Sequence, residues 1–162
     1  MLASGAILGV IAGLVVGRNW RPLATIHVYW LPLLAAGLFA RAVAPFAPGL
    51  AFVLYGFALV TTAAVAVANV RLAGAVLIAI GGGLNLAVVL LNGGMPVDPA
   101  AAIAAGTTVP SDALHVSLTD STQLQALADV IPVPIFRAVY SVGDFFIAAG
   151  GFVVPFVALT RR

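Results

Sequence analysis

Long stretches almost free of charge constrain this chain more than any other feature. Residues 23–44, 49–70, 73–91 and 135–159 form such apolar runs, each near the ~20 residues a helix needs to cross a bilayer. In water, runs of this length leave little polar surface to turn outward. In lipid, a helix satisfies all its backbone groups internally and is the natural outcome. The chain of 162 residues carries seven basic and five acidic side chains, 7% charged in all, against about a quarter in a soluble domain. A mean hydropathy of +1.19 agrees. The expectation is an all-α, polytopic membrane bundle, residues 1–162 forming a single integral membrane domain.

A shorter apolar segment, residues 2–17, brings the expected number of transmembrane helices to five. A signal peptide would have a basic start and a small-residue cleavage site; here neither is present, and Arg18-Asn19-Trp20-Arg21 follows. The segment is therefore read as a retained span. Gly5, Gly9, Gly13 and Gly17 recur once per turn on one face, a small-residue stripe that lets another helix backbone approach closely. Five spans put the termini on opposite sides. Arg18, Arg21, Arg71, Arg161 and Arg162 fall on one side, and Arg41 and Arg137 lie near the other. By the positive-inside rule the N-terminus is expected outside and the C-terminus in the cytoplasm of a plasma-membrane protein. His27, Tyr29, Trp30 and Trp20 then sit at the inner interface, as anchors.

The segment 92–134 is then external. It contains Asp98, Asp112, Asp120 and Asp129 and no basic residue. Asp120 with Gln123 resembles a helix-capping pair ahead of Leu124, Leu127 and Ala128, and Pro132 and Pro134 forbid continuation. A short helix over 121–129 is expected, with another turn or two over Ala100 to Ala105, making this a helical external loop.

Polar residues inside the spans fall into register. Arg137, Ser141, Asp144, Ala148, Gly151 and Pro155 share a face of the fifth span, and Gly81, Asn85 and Asn92 share one of the fourth. A lone carboxylate such as Asp144 costs roughly 2.5–3.5 kcal/mol at the centre of a membrane helix, so both faces should turn inward. At about 1.5 Å rise per residue, Asn85 lies about 10 Å below Asn92 and Asp144 about 10 Å below Arg137. Asn92 and Arg137 are thus expected in a shallow layer, and Asn85 and Asp144 in a deeper one, of a polar cleft open to the outside. Arg41, whose side chain leans inward from the second span, is expected to partner Asp144 while Arg137 points to the surface, with Tyr55 or Tyr140 completing the hydrogen bonds.

Asn85, the run Asn92-Gly93-Gly94-Met95-Pro96-Val97, then Leu118-Thr119-Asp120 with Leu124, Leu127, Asp129 and Pro132, and finally Ser141-Val142-Gly143-Asp144 with Gly150 resemble a family of small bacterial multi-pass membrane proteins, the domain of unknown function 5317. The likeness covers most of the chain from the fourth span onward. It implies no activity. Its signature positions map onto Asn85, Asn92 to Pro96 (Met95 included), Asp129, Ser141 and Asp144.

Other chemistries find less support. Asp112, His115 and Asp120, with Asp129, have the ligand types for a divalent cation but no tight spacing. Ser141 or Ser117 with His115 and an aspartate lacks a nucleophile-elbow sequence. Gly81-Gly82-Gly83 has no following lysine and is no phosphate loop. No cysteine is present, which removes disulfides and thiol chemistry, and scattered arginines with a net charge of +2 do not suit nucleic acid. No cofactor is evident, and nothing positive points to an enzyme. Three readings remain: a cleft binding a small ligand or lipid headgroup, a proton-coupled transporter component using Asp144, and an accessory subunit docked through its glycine face. A homo-oligomer or larger membrane complex is compatible with each.

Overall fold

The computed structural model describes residues 1–17 and 19–161; Arg18 and Arg162, two of the arginines counted for orientation, lie outside the described residues. Most of the chain is helical: α1 (Leu2–Gly17), α2 (Leu31–Val43), α3 (Ala51–Ala68), α4 (Ala75–Asn92), a short α5 (Pro99–Ala104) and α6 (Val142–Thr160). Three stretches among the described residues, rather than five, are long and apolar enough to cross a membrane: Pro48–Ala68, Ala75–Asn92 and Val142–Thr160. The apolar helices Leu2–Gly17 and Leu31–Phe46 are shorter.

Two of the expected spans shrink, and proline and backbone sign are the causes. Residues 23–44 yield only α2, because Pro22 opens a 3₁₀ turn at Arg21–Thr25, and Trp30 turns the chain with φ 61° just before Leu31. Residues 135–159 yield a helix beginning only at Val142. Pro132 and Pro134 lie in or beside a hairpin, in which β3 (Ile131–Val133) pairs antiparallel with β4 (Ala138–Tyr140) around a 3₁₀ turn at Pro134–Phe136 and Arg137 at φ 49°.

Segment 92–134, the expected external segment, is therefore not all-α. β1 (Met95–Val97) pairs in parallel with β2 (His115–Ser117), Met95 opposite His115. The expected Ala100–Ala105 helix forms as α5, its first turn capped by the Asp98 carboxylate, which accepts from the Ala100 amide at 2.9 Å. The expected helix over 121–129 is only a 3₁₀ turn at Gln125–Leu127, because Leu124 is left-handed at φ 56° and the Gln123 amide is bonded to Asn92 instead of to a cap.

The helices pack as a row in the order α2, α3, α4, α6, α1. α1 runs parallel to α6. The glycine stripe is the reason: a Cβ on Gly5, Gly9 or Gly17 would strike the backbone carbonyl of Ala148, Phe152 or Leu159. The face is thus occupied within the chain, which removes it as a surface for docking another protein. α4 runs antiparallel to α6, with Gly81 against Gly143 and Gly74 against Gly150. α1 and α2, the ends of the row, make at most marginal contact, yet both line the same interior spaces. The row is therefore curled and open along one side.

What the helices leave uncovered is apolar. No more than 44% of any of the three long helices is buried, and Ile7, Ile11, Phe39, Val53, Phe57, Val60 and Leu90 face outward. Apolar exposure on this scale suits hydrocarbon surroundings. The best-packed core lies where the external segment sits on the helix ends, joining Ala44, Ala51, Tyr55, Leu59, Val88, Val89, Met95 and Leu114.

Candidate functional site

The start of α6 positions Asp144. Ser141 is the N-cap: its Oγ accepts from the Asp144 amide at 3.0 Å, while the Asp144 carboxylate accepts from the Ser141 amide at 3.3 Å. This reciprocal capping box satisfies two of the amides a helix start leaves open, and the helix dipole favours a carboxylate there. Asp144 is therefore in the first turn of its helix, not in mid-span, and the cost expected of an isolated intramembrane charge does not arise. Asn85, 1% exposed, closes the group. Its side-chain amide donates to Asp144 Oδ1 at 3.2 Å, and its Oδ1 accepts from Ser141 Oγ at 2.9 Å. Gly143 permits this approach, since a Cβ there would land on Asn85 Oδ1.

Asp144 and Asn85 form part of the wall of a cavity of about 250 Å³ that also includes Arg41, Tyr55, His115 and Asp129. The expected Arg41–Asp144 ion pair is absent: among the described residues the pair within bonding distance is His115–Asp112. Arg41 instead lies over the Tyr55 ring, 4.9 Å from its centroid, a cation–π contact. Tyr140, on β4, lines the cavity and stacks edge-on against Phe145 at 6.3 Å.

Asp129 is the unusual member. The external segment pins its backbone: its amide donates to the Pro96 carbonyl and its carbonyl accepts from the Asp98 amide, both at 2.9 Å. The side chain is carried inward to 6% exposure, and Oδ1 is buried with no hydrogen-bond partner. Burial, reinforced by the Asp144 charge and opposed by Arg41, pushes its carboxyl up to about 8. Buried polar atoms are almost always paired, so this oxygen needs a proton or a partner.

The remaining sequence candidates disperse. Met95 and Pro96 are fully buried in β1, Met95 donating its amide to Leu114 O at 2.8 Å and the Pro96 carbonyl accepting from the Asp129 amide. Asn92 fastens the external segment and is absent from the cavity wall. It donates to Val88 O at 2.8 Å and Gln123 O at 3.0 Å, and accepts from the Gln123 amide at 2.9 Å. Arg137 is not on the α6 face; it is exposed in the hairpin turn and donates twice to Gly106 O, at 3.2 and 3.0 Å. A cavity of about 240 Å³ between Arg137 and Thr107 reaches Asp129 and His115 from that side. Asp112 accepts from the Leu114 and His115 amides at 2.9 and 3.0 Å and contacts His115 Nδ1 at 2.7 Å. Burial raises its carboxyl, but the Leu114 amide and the His115 ring outweigh this and hold it below the ordinary value. Asp120 does not join them: among the described residues no three acidic or histidine side chains converge as a cation site.

Two features escaped the sequence reading. Asn69, at the end of α3, exchanges reciprocal hydrogen bonds with the Tyr29 backbone, at 2.8 and 2.9 Å, fastening the chain ahead of α2. A single asparagine ending an apolar run was its only signal. The Arg41–Tyr55 contact had none, because it depends on how α2 and α3 cross.

The family model described as a family of unknown function, DUF5317, matches residues 20–156, and the chain belongs to that family. No curated protein and no solved structure matches it.

Proposed function

We propose that this chain is a five-span protein of the bacterial cell membrane whose cavity beneath the external segment binds a small polar ligand bearing a cationic group. The curled row supports five crossings: α1 runs parallel to α6, as the first and last of five alternating spans would. Its 16 residues, about 24 Å of helix, are short but reach across most of a ~30 Å hydrocarbon core. Arg21, Arg71 and Arg161 near one end favour a cytoplasmic C-terminus and an outward-facing cavity.

One observation carries the ligand reading: a buried, unpartnered oxygen on Asp129 in a cavity shared with Asp144 and Arg41. An ammonium group would supply the missing donor and face two carboxylates, while Arg41 would take an anionic group on the same molecule. Native mass spectrometry of the gently extracted protein tests this. A bound small molecule or lipid in the wild type, lost in Asp129→Asn and in Arg41→Ala, is expected. No bound species, or one indifferent to both changes, contradicts it, and the same spectra report whether the chain forms an oligomer or keeps protein partners.

A second reading, a proton-coupled carrier, is favoured by the same carboxyl. It moves the protonatable group from Asp144, engaged in capping, to Asp129. Proton flux in proteoliposomes that Asp129→Asn abolishes and Asp144→Asn leaves running would select it.

A further inference from the structure

The curled row encloses two spaces. Beyond the polar cavity lies one of about 300 Å³, walled almost wholly by apolar side chains that include Ala6 and Val10 of α1, Val65 of α3, Ile78 of α4 and Val154 of α6. Leu2 and Thr62 line both spaces. The α2 residues show the stacking: Arg41 and Leu38 border the polar cavity, and Leu34, one turn further from the external segment, borders the apolar one. On α1 the same order runs Leu2, then Ala6 and Val10, at four-residue steps along one face. The two spaces therefore share a long axis, polar by the external segment and apolar deeper. Both are bordered by the side where α1 and α2 barely touch. An apolar space of this size is costly to leave empty, and water gains nothing there because the wall offers few polar partners.

We infer that the ligand is a membrane lipid, its zwitterionic head in the polar cavity and one hydrocarbon chain in the apolar space, entering between α1 and α2. This deepens, and rests on, the reading of the polar cavity as a ligand site. Charge complementarity selects the head: a phosphate for Arg41 and an ammonium for Asp129 and Asp144. Shared walls at Leu2 and Thr62 select the chain, because a headgroup alone would leave the deeper space unfilled.

The test reconstitutes the full chain in phosphatidylethanolamine–phosphatidylglycerol vesicles carrying a trace of phosphatidylethanolamine with a photoreactive diazirine in mid-chain. Cross-links are then mapped by peptide mass spectrometry. Expected are adducts on the interior residues Ala6, Val10, Val65 or Val154, alongside adducts on the outer residues Phe39 and Val53. Val10→Trp, or Val154→Phe should the first fail to fold, fills the space and should lower the interior adducts at least fivefold with the outer ones unchanged. Asp129→Asn should lower the interior adducts as well. Adducts confined to the outer residues overturn the inference, as do interior adducts indifferent to Asp129→Asn. Chain-free O-phosphoethanolamine separates the two levels. If it binds in an Asp129-dependent way while interior adducts are missing, the polar site stands and the lipid assignment falls; if neither appears, both fall.

Discussion

Two carboxylates share one cavity and are treated in opposite ways. Asp144 is saturated: the Ser141 amide and the Asn85 side chain both donate to it, and Ser141 in turn donates to Asn85. Asp129 is buried with an oxygen left bare. The first arrangement fastens α4 to α6, and its neighbours lose partners if it is disturbed. The second adds nothing to packing and is costly at neutral pH unless a proton or ligand joins it. The difference teaches that the carboxylate most conspicuous in the sequence is architectural, while the less conspicuous one is left with an unpartnered oxygen.

Gly143→Ala is the most damaging way to probe the closed group. Its Cβ displaces Asn85 Oδ1, and a loss of about 3 kcal/mol is expected from overpacking together with the broken hydrogen bonds. Thermal unfolding in detergent would read it, and an unchanged midpoint would mean the helices do not meet as described. Asn85→Leu should cost about 2 kcal/mol, leaving Ser141 Oγ and Asp144 short of partners. In a double-mutant cycle with Ser141→Ala it should show coupling of at least about 0.5 kcal/mol.

At the open site the sign reverses. Asp129 keeps its proton to a pH well above its ordinary value of 3.8, so the stability that its neutral form contributes is complete below pH ~4 and is lost as pH rises through about 8. Asp129→Asn should match the wild-type midpoint near pH ~4, exceed it at neutral pH, and remove the wild type's fall between pH ~4 and about 8. A cationic ligand favours the ionised form, so its affinity should rise about tenfold per pH unit below that value. The groups facing Asp129 are Arg41 from α2, Tyr55 from α3, Asp144 from α6, His115 from β2, and Tyr140 and Arg137 from the hairpin. Binding profiles that keep their pH dependence in His115→Gln and lose it in Asp129→Asn are expected. Arg137→Ala, which removes an exposed contact to Gly106 and a side chain bordering the smaller cavity, should change stability by less than about 0.5 kcal/mol and alter binding less than Arg41→Ala.

Much of the frame was legible in the sequence. Runs of apolar residues located the long helices, the four-residue glycine spacing marked the close α1 contact, and counting helical turns brought Asn85 level with Asp144. The failures share a cause: short-range patterns do not report on elements built from distant pieces. Strands of three residues have no periodicity to detect, so the Met95–Val97 and Ile131–Val133 pairings were invisible. Pro132 and Pro134 suggest only the end of a helix over 121–129, which does not form, and the apolar run continues through Arg137 although α6 begins at Val142, so counting from the run's start places Asp144 too deep. Asp129 was named as a site residue, but its burial depends on backbone bonds to Pro96 and Asp98, some thirty positions earlier, and periodicity along one segment cannot see them.

The central claim is that Asp129, rather than Asp144, is the free carboxyl of the cavity. Infrared titration of the ligand-free protein in lipid, following the protonated carboxyl band, tests it directly. A band titrating near pH 8 that disappears in Asp129→Asn and persists in Asp144→Asn is predicted; a band that survives in Asp129→Asn would contradict the account.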